Sequence, residues 1–160
     1  MARQEDVEDI LSILNAASLD LLEKGINQWE YPWDEKVLVK QLGFLYVGTV
    51  AGKVICTFGI KDVKDLHVAE SGKYLYQIAI HPEYQGKGYG PVITSWACQY
   101  SRSLGEELYL DCWAGNQKLK HFYSENGLDY VGDFPEEDYY ISVLNASRRG
   151  SIEAPGLHCI

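Results

Sequence analysis

No stretch of roughly 18 apolar residues, the length needed to cross a membrane as a helix, occurs anywhere in the 160 residues, and residues 1–20 carry acids instead of the apolar centre of an export signal. A protein that neither spans a membrane nor is exported is expected. Cysteine pairs are missing too. Cys56, Cys98, Cys112 and Cys159 make no C-x-x-C motif and no framework spacing, in a chain well above the size of a disulfide-stapled domain, which fits a cytoplasmic location. Positive charge is scarce. With 14 basic residues against 23 acidic ones and a formal net charge of -9, most of the surface would repel a nucleic-acid backbone, so no nucleic-acid partner is expected. His81 and His121 have no ligand-like partners at fixed spacing, and no metal site is expected.

What is present is ordinary for a folded globular protein: 46% hydrophobic, 12% aromatic and 23% charged residues. A chain of this length can bury about two-thirds of its unfolded surface in one core. One domain over residues 1–144 is expected, followed by a tail over 145–160 that has Ser, Arg, Gly and Pro but no apolar period. The acidic balance suits either attraction of small cationic amines to a cleft or plain solubility.

Along the chain, Val7, Ile10, Leu11, Leu14, Leu21 and Leu22 recur at near-helical spacing behind an acidic first turn, predicting a helix from Glu5 to about Lys24 that ends near Gly25. Asp34 caps a second, short helix through Leu42. Phe44 to Val50 and Val54 to Ile60 read as a hairpin turned by Ala51-Gly52-Lys53, Lys61 to Lys73 as a loop, and Tyr74 to Ile80 as a strand. Pro91 fits the first position of a helix reaching Leu104. A strand over Leu108 to Trp113, a helix over Asn116 to Glu125 stopped by Asn126-Gly127, and strands over Leu128–Val131 and Tyr139–Leu144 complete the order.

The strand over Tyr74 to Ile80 leads into Gln85-Gly-Lys-Gly-Tyr-Gly90 and then a helix. Gly86, Gly88 and Gly90 let main-chain amides approach an anion, and the helix start adds the positive end of its dipole. The same run can also be no more than a tight turn. A Walker loop is ruled out by spacing, because Lys87 is followed by glycine and not by Ser or Thr; a Rossmann fingerprint fits poorly because hairpin strands come first.

Gln85-x-x-Gly88-x-Gly90, after Ile78-Ala-Ile-His-Pro-Glu-Tyr84, resembles the acyl-CoA loop of the GNAT superfamily of N-acetyltransferases. The likeness continues through Asp111-Cys-Trp-Ala-Gly-Asn116 and His121-Phe-Tyr-Ser-Glu-Asn-Gly-Leu128, covering about residues 74 to 131. It implies an α/β (α+β) acyl-CoA N-acyltransferase fold: a central, mostly antiparallel mixed sheet with helices on both faces. By resemblance, main chain at Ile78, Ala79 and Ile80 would pair with the pantetheine arm of acetyl-CoA. Gln85, Gly86, Lys87, Gly88, Tyr89 and Gly90 would hold the pyrophosphate, and Asn116 would contact the cofactor arm. Tyr123 would protonate the departing thiolate, a role a phenol can fill; packing on the core side of its helix is the other reading of this residue.

Three departures stand out. Pro91 removes one amide at the helix start, Leu128 stands where the family has phenylalanine, and Met1-Ala-Arg-Gln4 leaves the first strand truncated. The bare edge is a possible homodimer contact.

The acceptor amine must lose a proton before attack. Asp111, at a strand end, is the candidate base or else a structural acid. Gln28, Trp29, Glu30, Tyr31 and Trp33 are candidate acceptor contacts, with a lid over the core as the other reading of the tryptophans. The function these residues imply is acetyl transfer from acetyl-CoA to a primary amine of a small molecule or peptide by direct attack. A CoA-binding module without turnover and an enzyme acting on protein N-termini are the alternatives.

Overall fold

The computed structural model describes residues 1–26, 29–64 and 69–147. They belong to two compact units, Met1–Lys61 with Tyr74–Thr94, and Asp62–Lys73 with the chain from Ser95 onward. The architecture is the mixed α/β class expected, with helices and a six-stranded, mostly antiparallel sheet.

In the first unit, helix α1 (Val7–Glu23) buries Val7, Ile10, Ile13, Leu14, Ala17 and Ser18. These positions fall on one stripe of a 3.6-residue period, which is why Ile13 and Ala17 face the core and the expected Leu22 is exposed. Gly25, at φ 77, closes the helix: its N–H donates to Leu22 and that of Ile26 to Leu21. Helix α2 (Glu35–Gln41) starts at Asp34, whose carboxylate accepts from the Lys36 amide at 2.8 Å and fills an N-cap as expected. Buried Leu38 joins Leu45, Ala79 and the α1 stripe in one apolar cluster.

Strands β1 (Leu45–Val50) and β2 (Lys53–Asp62) pair antiparallel from Leu45↔Gly59 to Val50↔Lys53. The turn is two residues, Ala51 and Gly52, both at positive φ, so Lys53 belongs to the strand and not to the turn. Strand β3 (Lys73–Ile80) lies next to β2 in the strand order. Among the described residues no strand precedes α1. Ala2 is buried and its N–H donates to the Leu45 carbonyl at 2.7 Å, so one backbone bond stands where a paired strand would contribute several.

Helix α3 (Tyr89–Ser103) begins two residues before the expected Pro91 start. Pro91 therefore sits third in the helix, still within the first turn, whose amides have no intrahelical acceptor, so its missing N–H costs nothing there.

In the second unit the strand order is β4 (Leu108–Trp113), β6 (Tyr140–Ala146), β5 (Asp129–Pro135), all antiparallel. Strand β6 runs past the expected end at Leu144, with Asn145 opposite Tyr109 and Ala146 opposite Leu108. Strand β5 is longer than expected because a bulge between Tyr130 and Gly132 lets pairing continue through Pro135. The expected loop over Lys61 to Lys73 is shorter than its bounds: β2 reaches Asp62, Lys73 opens β3, and the Val63 N–H donates to Gly72 at 2.9 Å. Residues 65–68 and 148–160 of the expected loop and tail lie outside the described residues. Among the described residues no helix is long and apolar enough to cross a membrane.

Leu14 is fully buried in the α1 stripe. Truncation by Leu14→Ala removes its packing and leaves a cavity, so urea unfolding is expected to show a loss of about 2–5 kcal/mol. A loss below about 1 kcal/mol would contradict this placement of the core.

Candidate active site

In the first unit, β3 delivers Ile78, Ala79 and Ile80 directly to the glycine loop, and the Gln85 carboxamide folds back to donate from Nε2 to the Ile80 carbonyl at 3.1 Å. A one-turn 3-10 helix over Pro82–Tyr84 connects the two, capped by His81, whose Nδ1 accepts from the Glu83 amide. Gly86 and Gly88 have φ of 73 and 88, whereas Lys87 and the helical Tyr89 do not have positive φ. Such alternation of handedness turns successive N–H groups toward one side, the nest geometry that receives anions. Among the described residues a Cβ at Gly86 or Gly88 would meet nothing within 4 Å, so the glycines serve backbone conformation there. Gly90 does not share this geometry and belongs to the first turn of α3.

Sequence reasoning missed Gln77. It sits within β3 at φ 54, a left-handed backbone that a non-glycine residue holds only under constraint, and its side-chain Nε2 is buried without a hydrogen-bond partner among the described residues. Its only sequence signal is a lone carboxamide in an apolar strand.

The candidate acceptor contacts are structural in part. Trp29 and Trp33 meet edge to face at 6.0 Å and pack against the α1 core cluster. Trp33 is pinned twice to α1, donating from Nε1 to Ser18 Oγ and from its backbone N–H to Asn15 Oδ1, each at 2.9 Å. Glu30 and Tyr31 are exposed, and Gln28 lies outside the described residues.

In the second unit, α4 (Gln117–Glu125) starts one residue later than expected because Asn116 is its N-cap: Oδ1 accepts from the Leu119 amide at 3.0 Å, leaving Nδ2 for any other contact. The helix ends on Gly127 at φ 87. The Leu128 N–H donates to the Tyr123 carbonyl at 3.1 Å and that of Gly127 to Ser124 at 3.4 Å, the two bonds of a Schellman cap. The Tyr-x-x-x-Gly spacing is thus the arithmetic of this cap: glycine at C′ fixes where C3, the tyrosine, must fall. Leu128 is itself buried.

Tyr123 is buried and the second unit brings it close to Asp111 and Cys112 of β4. Burial chiefly, then Cys112 and Asp111, raise the Tyr123 phenol well above its ordinary value, so it stays protonated at neutral pH. It is a hydrogen-bond donor, not a strong acid. Cys112 is also buried, and burial followed by the Asp111 carboxylate pushes its thiol up from 9.0 to about 11. Nucleophilic sulfur is thiolate, so Cys112 is a poor candidate for an acyl-cysteine intermediate. Among the described residues no group of His, Cys, Asp and Glu is arranged to hold a metal.

The family model described as Acetyltransferase (GNAT) family matches residues 8–128, and the chain belongs to that family of acetyltransferases. Solved structures agree in fold. A GNAT-family acetyltransferase from Streptococcus agalactiae superposes with a TM-score of 0.74 at 16% identity, covering 94% of each chain. The ribosomal-protein-S18-alanine N-acetyltransferase of Escherichia coli gives 0.68 at 19% identity over 98% of this chain and 96% of its own. Similarity also extends to yncA of Salmonella typhimurium, solved with its cofactor acetyl-CoA, at 0.68 and 17% identity over 97% and 95%. No curated protein matches the sequence. Acetyl-CoA carries a pyrophosphate, and the open nest at Gly86 to Gly88 suits that anion on its own geometry.

The folded Cys112 keeps its proton above the pH at which the unfolded thiol loses it. Its contribution to stability is therefore complete below pH 9.0 and is lost as pH rises toward about 11. Cys112→Ala is expected to flatten that part of the alkaline stability curve in unfolding titrations. In native protein at pH 8, iodoacetamide followed by peptide mass analysis should leave Cys112 unlabelled; rapid labelling would contradict the burial argument.

Proposed function

We propose that the protein moves the acetyl group of acetyl-CoA directly to a primary amine of a small molecule or peptide. The observation that carries this reading is the pairing, within the second unit, of a buried, protonated Tyr123 with a buried Cys112 held as thiol. A proton donor with no competent nucleophile beside it fits one-step transfer and not a covalent relay.

Acetyl-CoA supplies an activated thioester when bound. The nest at Gly86, Lys87 and Gly88, with the start of α3, binds its pyrophosphate, and Gln85 holds the loop to the end of β3. Main chain at Ile78, Ala79 and Ile80 lies along the pantetheine arm, and Asn116 contacts that arm through Nδ2. Tyr123 donates its phenol proton in a hydrogen bond to sulfur as the carbon–sulfur bond breaks. Because burial raises the phenol, complete transfer of its proton is uphill and Tyr123 stabilises the departing charge. Asp111, half-buried beside Tyr123, removes the proton of the acceptor ammonium, directly or through water. Exposed Glu30 and Tyr31 supply a carboxylate and a ring to a cationic acceptor.

Steady-state release of free CoA across small amines, polyamines and peptides with free N-termini tests this. At least one acceptor class should support turnover. Tyr123→Phe keeps the ring packed, so acetyl-CoA affinity by calorimetry is expected to hold while kcat falls about 100-fold. Tight CoA binding with no acetylated acceptor in the whole panel would instead mark a binding module without turnover.

A further inference from the structure

The start of β2 and the glycine loop meet at one aromatic ring. Tyr84, half-buried at the end of the one-turn helix before the loop, has the Lys53 ammonium 5.5 Å from its ring centroid and the Lys87 ammonium 5.3 Å from it. Backbone bonds fix this meeting. The two-residue turn at Ala51 and Gly52 places Lys53 first in β2, and two residues later the Ile55 carbonyl accepts from the His81 amide at 2.9 Å. The Tyr84 amide donates to the His81 carbonyl at 2.8 Å, and His81 and Tyr89 flank the Tyr84 ring at 6.2 and 6.1 Å.

Two like charges converging on one ring repel each other, and the cation–π attraction of an exposed lysine is small. Neither Lys53 nor Lys87 forms an ion pair among the described residues, although the chain carries 23 acidic side chains against 14 basic ones. An anion in the adjoining nest would offset that repulsion, and none of the described carboxylates is paired with either lysine.

We propose that Lys53 is a phosphate-binding residue for acyl-CoA, held with Lys87 on the Tyr84 ring as a two-cation clamp at the Gly86 to Gly88 nest. The proposal rests on the assignment of the nest to the CoA pyrophosphate. Tyr84 is a positioning residue: its ring holds the two ammonium groups, and its hydroxyl is not needed for this.

The test is calorimetric titration of CoA and of dephospho-CoA, which lacks the 3′-phosphate, into the intact protein at low and physiological salt. Lys53→Ala is expected to weaken CoA binding about three- to tenfold at low salt, with a shallower salt dependence, and Lys53→Arg to restore both. Equal losses for the two ligands assign Lys53 to the pyrophosphate; a loss confined to CoA assigns it to the 3′-phosphate. Tyr84→Phe should bind like the parent, whereas Tyr84→Leu should weaken binding and make Lys53→Ala nearly silent in the double variant. Parent-like affinity and salt slope of Lys53→Ala for both ligands would overturn the clamp while leaving the nest assignment standing. A parent protein that binds neither ligand would instead overturn the nest assignment, and the clamp with it.

Discussion

The left-handed backbone at Gly86 and Gly88 is the constraint on which the proposed cofactor end depends. Residues with a Cβ resist those φ values, so the chain commits two adjacent turns to glycine in order to alternate handedness between β3 and α3. That choice sets the geometry on either side of the loop. Amides turn to one side, Gln85 folds back to Ile80, and α3 opens early enough that Pro91 falls where an amide has no helical partner. The missing N–H at Pro91 is therefore neutral for the helix, and the nest ending three residues earlier offers the anion other donors.

A second local rule shapes the other unit. Gly127 ends α4 in a Schellman cap, and the cap's own bond to the Tyr123 carbonyl ties the candidate donor's backbone to the helix end. Packing then decides chemistry. The same burial that keeps the Tyr123 phenol protonated raises the neighbouring Cys112 thiol, so one apolar environment favours a donor and disfavours a nucleophile. Asp111 reinforces both shifts, since its charge opposes a second negative charge on either neighbour.

Much of this was legible in the sequence because it is local. The glycine loop, the Asp34 cap, the hairpin and the Tyr123 to Gly127 spacing each depend on a few adjacent residues and on φ preferences that follow from side-chain type. Other features were not legible, for two physical reasons. Tertiary contacts overrode local reading at Trp33, whose ring N–H reaches Ser18 on α1, and at Tyr84, where Lys53 arrives from a separate strand. Strain gave almost no signal at Gln77, because nothing in its neighbours' types announces a left-handed residue in mid-strand. Element ends moved by one to four residues where caps and bulges, not propensity, decide them: Asn116 leaves the helix to cap it, and the bulge at Tyr130 carries β5 on to Pro135.

The central claim is that acetyl-CoA is held by a backbone whose shape requires glycine, and calorimetry on a single substitution tests it most directly. Gly88→Ala adds a methyl group that meets no atom of the described residues within 4 Å but must sit at φ 88. Strain of about 1–2 kcal/mol is expected to shift the loop from that conformation. With the far-UV circular dichroism of the parent retained, the variant should bind acetyl-CoA about five- to thirtyfold more weakly. Parent-like affinity in the variant, or no acetyl-CoA binding by the parent protein, would contradict the account.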